Sequence, residues 1–351
     1  MQTVQRFHCT NALKLELTCL YKKNNWRWLL GWSGDVLVIV CAVALTQWSL
    51  YAYPLSVLII GSRQRALASL VHEAAHLTLT QSRRLSYAIG HYLTGLPIFQ
   101  DYEAYRHSHV HMHHHHLGDA DKDPDYRYYI ESGLQATEDR FDFMFNHLLR
   151  TVLFLNIFSY LRYLVIHRLG ALLKSPRKAL TLIAVHAVLF SLFYATTGVY
   201  GYLMFWLIPY LTAFQVIGWL SEVSEHFGLF GREQEALRIT RNRFPSWWER
   251  LFIGMHGDNL HLTHHLFAGI PYWNLHKAHR DASLQDPDYA EANLAKGGII
   301  SGRRDTQSVM RQILSIYRLQ NRRHSPYGTA PQTLCEQSAR EGTQTTNGDD
   351  R

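Results

Sequence analysis

Three groups of histidines hold the chemistry of this 351-residue chain. They are His72-Glu-Ala-Ala-His76, the run from His107 to His116, and His261-Leu-Thr-His264-His265. Residues three or four apart share a helix face. His72 and His76 can therefore grip one ion, and His261 with His264 and His265 can do the same. Three such boxes beside apolar, membrane-length segments point to a polynuclear metal centre at a membrane surface. Imidazole suits iron, copper, nickel and zinc alike, so ligand type does not choose the metal. The middle run offers two registers. His111, His114 and His115 would mirror the third box, whereas His109, His113 and His114 use one extra residue.

Other readings of these residues are weaker. His-Glu-x-x-His alone is the zinc-protease signature, with the glutamate as general base. A zinc site uses three or four protein ligands, far fewer than the histidines gathered here. A chelating histidine tract needs no fold, and it leaves the other two boxes unexplained. A membrane metal transporter needs titratable groups along a path. Asp35 is the only acidic residue of the first apolar hairpin, and Glu222 and Glu225 sit at the exit of the second. That pattern shows no ion path. Asp119, Asp123 and Asp125 follow the middle run. They read first as a turn and second as acceptors for imidazole N–H groups.

The boxes need elements that bring them together. Mean hydropathy is near neutral at −0.16, but charge is segregated. No Lys or Arg occurs from Trp28 to Ser62 or from Ala179 to Gly231. Residues 34–50 are about long enough to cross a bilayer. A turn at Tyr51-Ala-Tyr-Pro54 follows, and the chain returns past Arg63 and Arg65 to the first box. The block 179–220 is about twice a spanning length and breaks at Thr196–Gly201. Residues 84–99 read as a re-entrant or interfacial segment, and 147–168 as an amphipathic helix on the membrane. The first long apolar run starts too late for a signal peptide. Both hairpin tips lack charge, so the positive-inside rule places the termini and all three boxes in the cytosol. The expected fold is an all-α integral membrane protein. It has about four transmembrane helices in two hairpins, at about 34–70 and 179–220, under a cytosolic helical cap. One domain covers 1–322, and 323–351 reads as a polar, disordered tail. The formal net charge of +7 lies outside the apolar blocks. Cys9, Cys19, Cys41 and Cys335 form no pair motif.

The boxes and their surroundings resemble the membrane fatty-acid desaturase and hydroxylase superfamily. The likeness includes Tyr105-Arg106 before the second box, with Leu117-Gly118-Asp119 and Lys122-Asp-Pro-Asp125 after it. It continues in Ser224-Glu-His226-Phe-Gly228 and from His261 to Leu275, closing on His279. It covers roughly residues 34 to 282. The resemblance implies two non-haem irons that activate O₂ for attack on an aliphatic C–H bond. Its ligands would be His72, His76, His109, His113, His114, His261, His264 and His265, with His226 as an additional one. The His109 register is preferred because its distance to Leu117-Gly118 looks like that of sphingolipid desaturases. Glu222, one turn before His226, would bind iron, orient His226, or stay a surface carboxylate. His276 stands where relatives often have proline. The expected activity is an O₂-dependent desaturase forming a C=C bond in a lipid or amphiphile. The alternatives are a hydroxylase, a desaturase of a small amino-acid-derived metabolite of the rhizobitoxine type, and a metal-binding or transport protein. The chain carries no haem domain and no ferredoxin cysteines. Expected partners are therefore a ferredoxin or cytochrome b5-like donor with an NAD(P)H reductase, and membrane lipid, but not nucleic acid. Arg83, Arg84, Arg106, Lys122, Arg238, Arg241 and Arg243 would attract an acidic carrier.

Overall fold

Apolar sequence without charge forms long helices here, and breaks fall where turn residues cluster. The computed structural model describes residues 4–5, 7–163, 170–294, 296–302 and 305–323. Among these, all regular structure is helical apart from two isolated bridges, Gln5 with Glu235 and Lys296 with Gln307. Arg27–Trp48 is one helix of 22 residues, about 33 Å long and enough to cross a bilayer core of about 30 Å. It stops at the extended Ser49. The chain turns through Leu50–Ala52 and re-enters a helix at Tyr53–Ala75, with Pro54 in its first turn. The first hairpin is thus longer at both ends than 34–70.

The second hairpin pairs Pro176–Thr197 with Leu203–His226, and Gly198 turns the chain between them at a φ of 81°. Among the described residues, three helices are long and apolar enough to cross a membrane: Arg27–Trp48, Pro176–Thr197 and Leu203–His226. Tyr53–Ala75 falls outside that set. It carries Arg63 and Arg65, and its polar residues Ser62, Gln64, Ser69 and Glu73 are buried. Only 6% of the most apolar stretch of Pro176–Thr197 is buried, so its Leu180, Ile183, Val188 and Leu192 face outward. Such a surface suits lipid, not water.

Lipid gives helices no hydrophobic push toward one another, so close approach and polar bonds must hold them. Gly61 supplies the approach. A Cβ there would lie 2.6 Å from Ala213 Cβ and 2.7 Å from the Phe214 backbone nitrogen. The polar bonds run between helices. Gln64 Nε2 donates to Trp206 O (2.9 Å), Tyr53 OH to Met204 O (3.0 Å) and Trp206 Nε1 to Pro97 O (2.8 Å). Arg63 pairs with Asp35 at 3.3 Å, and Arg65 pairs with Asp258 at 3.2 Å. Neither arginine is left as a lone buried charge, which would be costly.

Residues 84–99 are a broken helix rather than a span. Arg83–Ala88 runs into a π-helical turn at Ile89–Gly95 and a 3₁₀ turn at Leu96–Ile98. The single amphipathic helix expected over 147–168 is not what forms. The chain is π-helical over Phe143–Leu149 and continues through Arg150–Val152. Phe154 then takes a left-handed φ of 58°. Bonds from Leu155 N–H to Arg150 O and from Phe154 N–H to Thr151 O close a helix-ending turn there, so the following helix Ile157–Tyr163 is separate. Residues 164–168 lie outside the described residues, as does the tail beyond Arg323 and with it Cys335. Cys9, Cys19 and Cys41 are free thiols.

Candidate metal centre

The end of the Tyr53–Ala75 helix carries the first box, with His72 in its last turn and His76 as its cap. Leu77, at a φ of 59°, turns the chain away. Glu73 stays beside the box, its Oε1 3.7 Å from His72 Nδ1. Its Oε2 accepts from Thr78 Oγ1 at 2.7 Å and from the Tyr272 backbone N–H at 3.0 Å. A carboxylate tied into the fold in this way is not the free general base that a zinc protease needs.

The second box is presented by a change of helix type. Tyr102–Arg106 is α-helical, and His107–His113 continues as a π-helix. The wider turn bonds His114 N–H to His109 O at 3.0 Å, so residues four and five apart share a face. His109, His113 and His114 therefore point inward together. π-Helical turns of this kind recur at functional sites. His107, His111 and His115 are exposed, and His115 Nδ1 donates to Val110 O at 2.7 Å. The register through His111 and His115 is not the one the fold brings together.

The third box follows a sharp backbone turn at His256 (φ 52°) and Gly257 (φ 74°), then the short helix His261–Leu266. His226 closes the helix Ala213–His226. These four pieces place nine imidazoles in two groups. One holds His72, His76, His109, His114 and His264, and the other His113, His226, His261 and His265. Within each group the ligand atoms lie within 4.8 Å of one another. The adjacent pairs His113-His114 and His264-His265 straddle the two groups. Neighbouring residues on a helix point about 100° apart, so one dipeptide serves two ions.

The nitrogen distances fit bound cations. His226 Nε2 and His265 Nε2 each lie 3.0 Å from His261 Nε2. His264 Nε2 lies 3.2 Å from His76 Nε2 and 3.3 Å from His114 Nε2, which in turn is 3.2 Å from His109 Nε2. Two ligands about 2.1 Å from one ion, at angles of 90–109°, stand about 3.0–3.4 Å apart. A neutral imidazole has one N–H, so these converging nitrogens cannot all pair with each other. The buried His72 Nε2 has no hydrogen-bond partner. Burial, reinforced by neighbouring imidazoles, holds His76, His109, His114, His261, His264 and His265 well below the usual histidine range. Neutral rings with inward lone pairs are what a metal ion takes.

His113 is the exception. Burial pushes its pKa down, but the carboxylates of Asp125 and Asp123 outweigh that and lift it to about 9. Its Nδ1 donates to Asp123 Oδ1 at 2.8 Å, which leaves Nε2 to face the second group. Asp123 also accepts from the Gly118 and Asp125 backbone N–H groups at 2.9 and 3.0 Å. It is thus both the turn and the imidazole acceptor. Asp119 stabilises the turn, accepting from Asp121 N–H at 3.0 Å. His226 is held likewise, its Nδ1 donating to Ile239 O at 3.1 Å. Carboxylates that orient a ligating histidine are worth about 10–100-fold in metal affinity. Asp123→Ala is expected to lower metal retention by that amount in a chelator competition, with Asp123→Asn losing less because it keeps the cap. Equal retention by all three proteins would refute this role.

Of the three roles open to Glu222, the surface carboxylate is the one that fits its placement, and one expectation about the arginines does not hold. Glu222 joins neither group. Its side chain is exposed, and its backbone carbonyl accepts from Tyr129 OH at 2.7 Å. The buried carboxylate on this helix is Glu225, 3.5 Å from His261 Nε2 and 3.1 Å from Arg243. Arg241 and Arg243 cannot steer a carrier, because both are buried. Spacing alone did not reveal Glu225, although a carboxylate next to His226 was visible.

A match to the fatty acid desaturase family spans residues 46–293. A dihydrorhizobitoxine desaturase from Bradyrhizobium elkanii is 36% identical over 285 residues, covering 79% of this chain and 80% of that protein. An sn-1 oleoyl-lipid 12-desaturase from Picosynechococcus is 33% identical over 112 residues, 29% of this chain and 31% of that protein. One from Anabaena variabilis is 27% identical over 127 residues, 31% of this chain and 33% of that protein.

Proposed function

The chain belongs to the fatty acid desaturase family, and from that premise we propose that it is an O₂-dependent membrane desaturase of a small amphiphile of the dihydrorhizobitoxine type. Two non-haem irons are its cofactors, held by the nine inward imidazoles. The observation that carries this reading is the pair of histidine groups, five and four side chains strong. One zinc ion uses about four ligands, and nine exceed that. The substrate class rests on coverage. The dihydrorhizobitoxine desaturase aligns over 79% of the chain, whereas the lipid 12-desaturases align over about a third or less.

When bound, the iron pair would supply O₂ activation and removal of hydrogen from an unactivated C–H bond. The chain supplies the rest. Burial keeps His76, His109, His114, His261, His264 and His265 neutral, Asp123 and the Ile239 carbonyl fix His113 and His226 by their outer nitrogens, and Glu73 locks the first box against Tyr272. Reduction of O₂ to two waters takes four electrons, and the substrate's two hydrogens bring two. The other two come from a ferredoxin or cytochrome b5-like carrier with its NAD(P)H reductase. Arg83, Arg84, Arg106 and Arg238 remain as its attracting charges. Four spans, with Tyr53–Ala75 as the fourth, and cytosolic termini complete the proposal. The absence of Lys and Arg from both hairpin tips supports it.

Mass spectrometry of small metabolites and lipids from cells with and without the protein tests the reading. The expected product is a small metabolite lighter by two hydrogens. A product heavier by one oxygen would make the protein a hydroxylase instead, and a change confined to oleoyl lipids would reject the small substrate.

A further inference from the structure

A cleft of about 1110 Å³ opens beside the metal centre, on the side of the N-terminal segment. Its lining includes His114 and His265, one from each histidine group. These two rings stack at 4.2 Å with an interplanar angle of 10°. Phe7 and Phe267 add an apolar wall, packed edge to face at 6.3 Å. No lining residue belongs to the three apolar helices. Among the described residues, the surfaces that suit lipid therefore contribute nothing to this cleft.

Two ammonium groups line it. Lys14 comes from the helix Asn11–Leu17, and Lys122 from the turn after the second box. Neither forms an ion pair among the described residues. Elsewhere lysines such as Lys178 and Lys277 have carboxylates at 2.7–2.9 Å. Asp119 also lines the cleft, so a headgroup with an ammonium beside its carboxylate fits better than a dianion. Pockets that take small molecules have this make-up, mostly apolar walls with a few placed charges.

We propose that this cleft admits the substrate from water and that Lys14 and Lys122 receive its free carboxylate. This rests on the desaturase reading above and names the class of substrate, a small water-borne carboxylic acid rather than an esterified acyl chain. The apolar part of the molecule then lies along Phe7 and Phe267 toward the two stacked imidazoles. An anionic lipid headgroup offers a similar charge through its phosphate, but it would have to leave the lipid-facing helices to reach this cleft.

The test uses the full-length, iron-loaded protein in lipid nanodiscs with reductase and carrier. The probes are dihydrorhizobitoxine, its methyl ester, and sn-1 oleoyl phosphatidylglycerol in the disc. Lys14→Met and Lys122→Met are each expected to raise KM for the acid about tenfold while kcat changes by less than about twofold, as for loss of one charge-assisted bond. Lys122→Arg should keep most of the affinity, and KM for the ester should ignore all three changes. Acid and ester shifting together, or neither shifting, would overturn the assignment. So would a rise in the apparent KM for the carrier instead, which would give the lysines to carrier docking. Equilibrium dialysis without reductant separates the two readings. Lysine-dependent binding of the acid without turnover would reject the proposed reaction and keep the cleft. Turnover of the acid with lysine-independent KM would do the reverse. Desaturation of the oleoyl lipid alone, with no binding of the acid, would reject both.

Discussion

Alanine at His72, His76, His109, His113, His114, His226, His261, His264 or His265 is expected to abolish desaturation while the protein still accumulates in the membrane. The loss should be about a thousandfold or more, the scale on which a catalytic constellation fails when one member goes. His107→Ala, His111→Ala and His115→Ala should keep most activity, because those rings are exposed and outside both groups. The contrast within one run of ten residues is the discriminating part. Any general effect of removing histidine would strike His111 and His113 alike. Iron content sharpens the test. The native protein should hold about two irons, and loss of a member of either group should leave about one or none. An essential His111 and His115 with a dispensable His109 would show that the π-helical register does not operate in the working enzyme. One zinc per chain, with activity that survives iron chelation, would end the di-iron reading altogether.

The π-helical turn also shows what a sequence can and cannot reveal. At α-helical spacing, His111 with His114 and His115 mirrors the third box, and no local rule forbids it. The choice depends on a hydrogen bond five residues long, His114 to His109, stabilised by what the inward face meets. Asp123 meets His113, and His264 meets His114 at 3.3 Å across 150 residues of chain. Propensity does not contain such contacts. The first and third boxes were legible because their spacings match the α-helices that carry them, one ending at its cap His76 and one holding His261 and His265. The hairpins were legible for a similar reason: lipid-facing helices exclude charge, and Lys and Arg mark their ends. Their limits were not, since Arg27 and Glu73 lie inside helices and the polar stretch from Ser62 to Glu73 continues one. Burial explains the discrepancy. Arg63 and Arg65 meet Asp35 and Asp258, residues distant in the chain. The 147–168 segment failed as one helix because Phe154 adopts a left-handed turn that its residue type disfavours. Glu222 and Glu225 could not be ranked from spacing, as both lie within one turn of His226. Burial and the placement of Arg243 and His261 beside Glu225 distinguish them.

Arg243→Met is expected to be the most damaging substitution outside the histidines. Arg243 is among the largest fully buried side chains, 1% exposed. It sits between two buried carboxylates, 2.9 Å from Asp258 Oδ2 and 3.1 Å from Glu225 Oε1. It also donates to Ser224 Oγ at 2.7 Å, to Ser221 O at 3.2 Å and to the Asp258 carbonyl. This one guanidinium thus ties the helix that ends in His226 to the turn that leads into His261. Methionine fills much of the volume but leaves Asp258 and Glu225 to share Arg65 as their remaining nearby cation. Removing one partner of a buried ion pair costs about 3–5 kcal/mol. That is a large share of a typical net stability of about 5–15 kcal/mol. The variant should lose monodispersity in detergent and melt well below the native protein. Arg243→Lys should rescue little, because one ammonium cannot bridge both carboxylates and the two serines in a fixed fork. Arg243→Met with Glu225→Gln should recover part of the loss, since the buried carboxyl that lost its guanidinium partner is gone. That partial recovery separates the ion-pair account from simple mispacking, which the second substitution would not relieve. A melting temperature for Arg243→Met equal to that of the native protein would show that the network contributes nothing to the fold, and the coupling between His226 and His261 would need another basis.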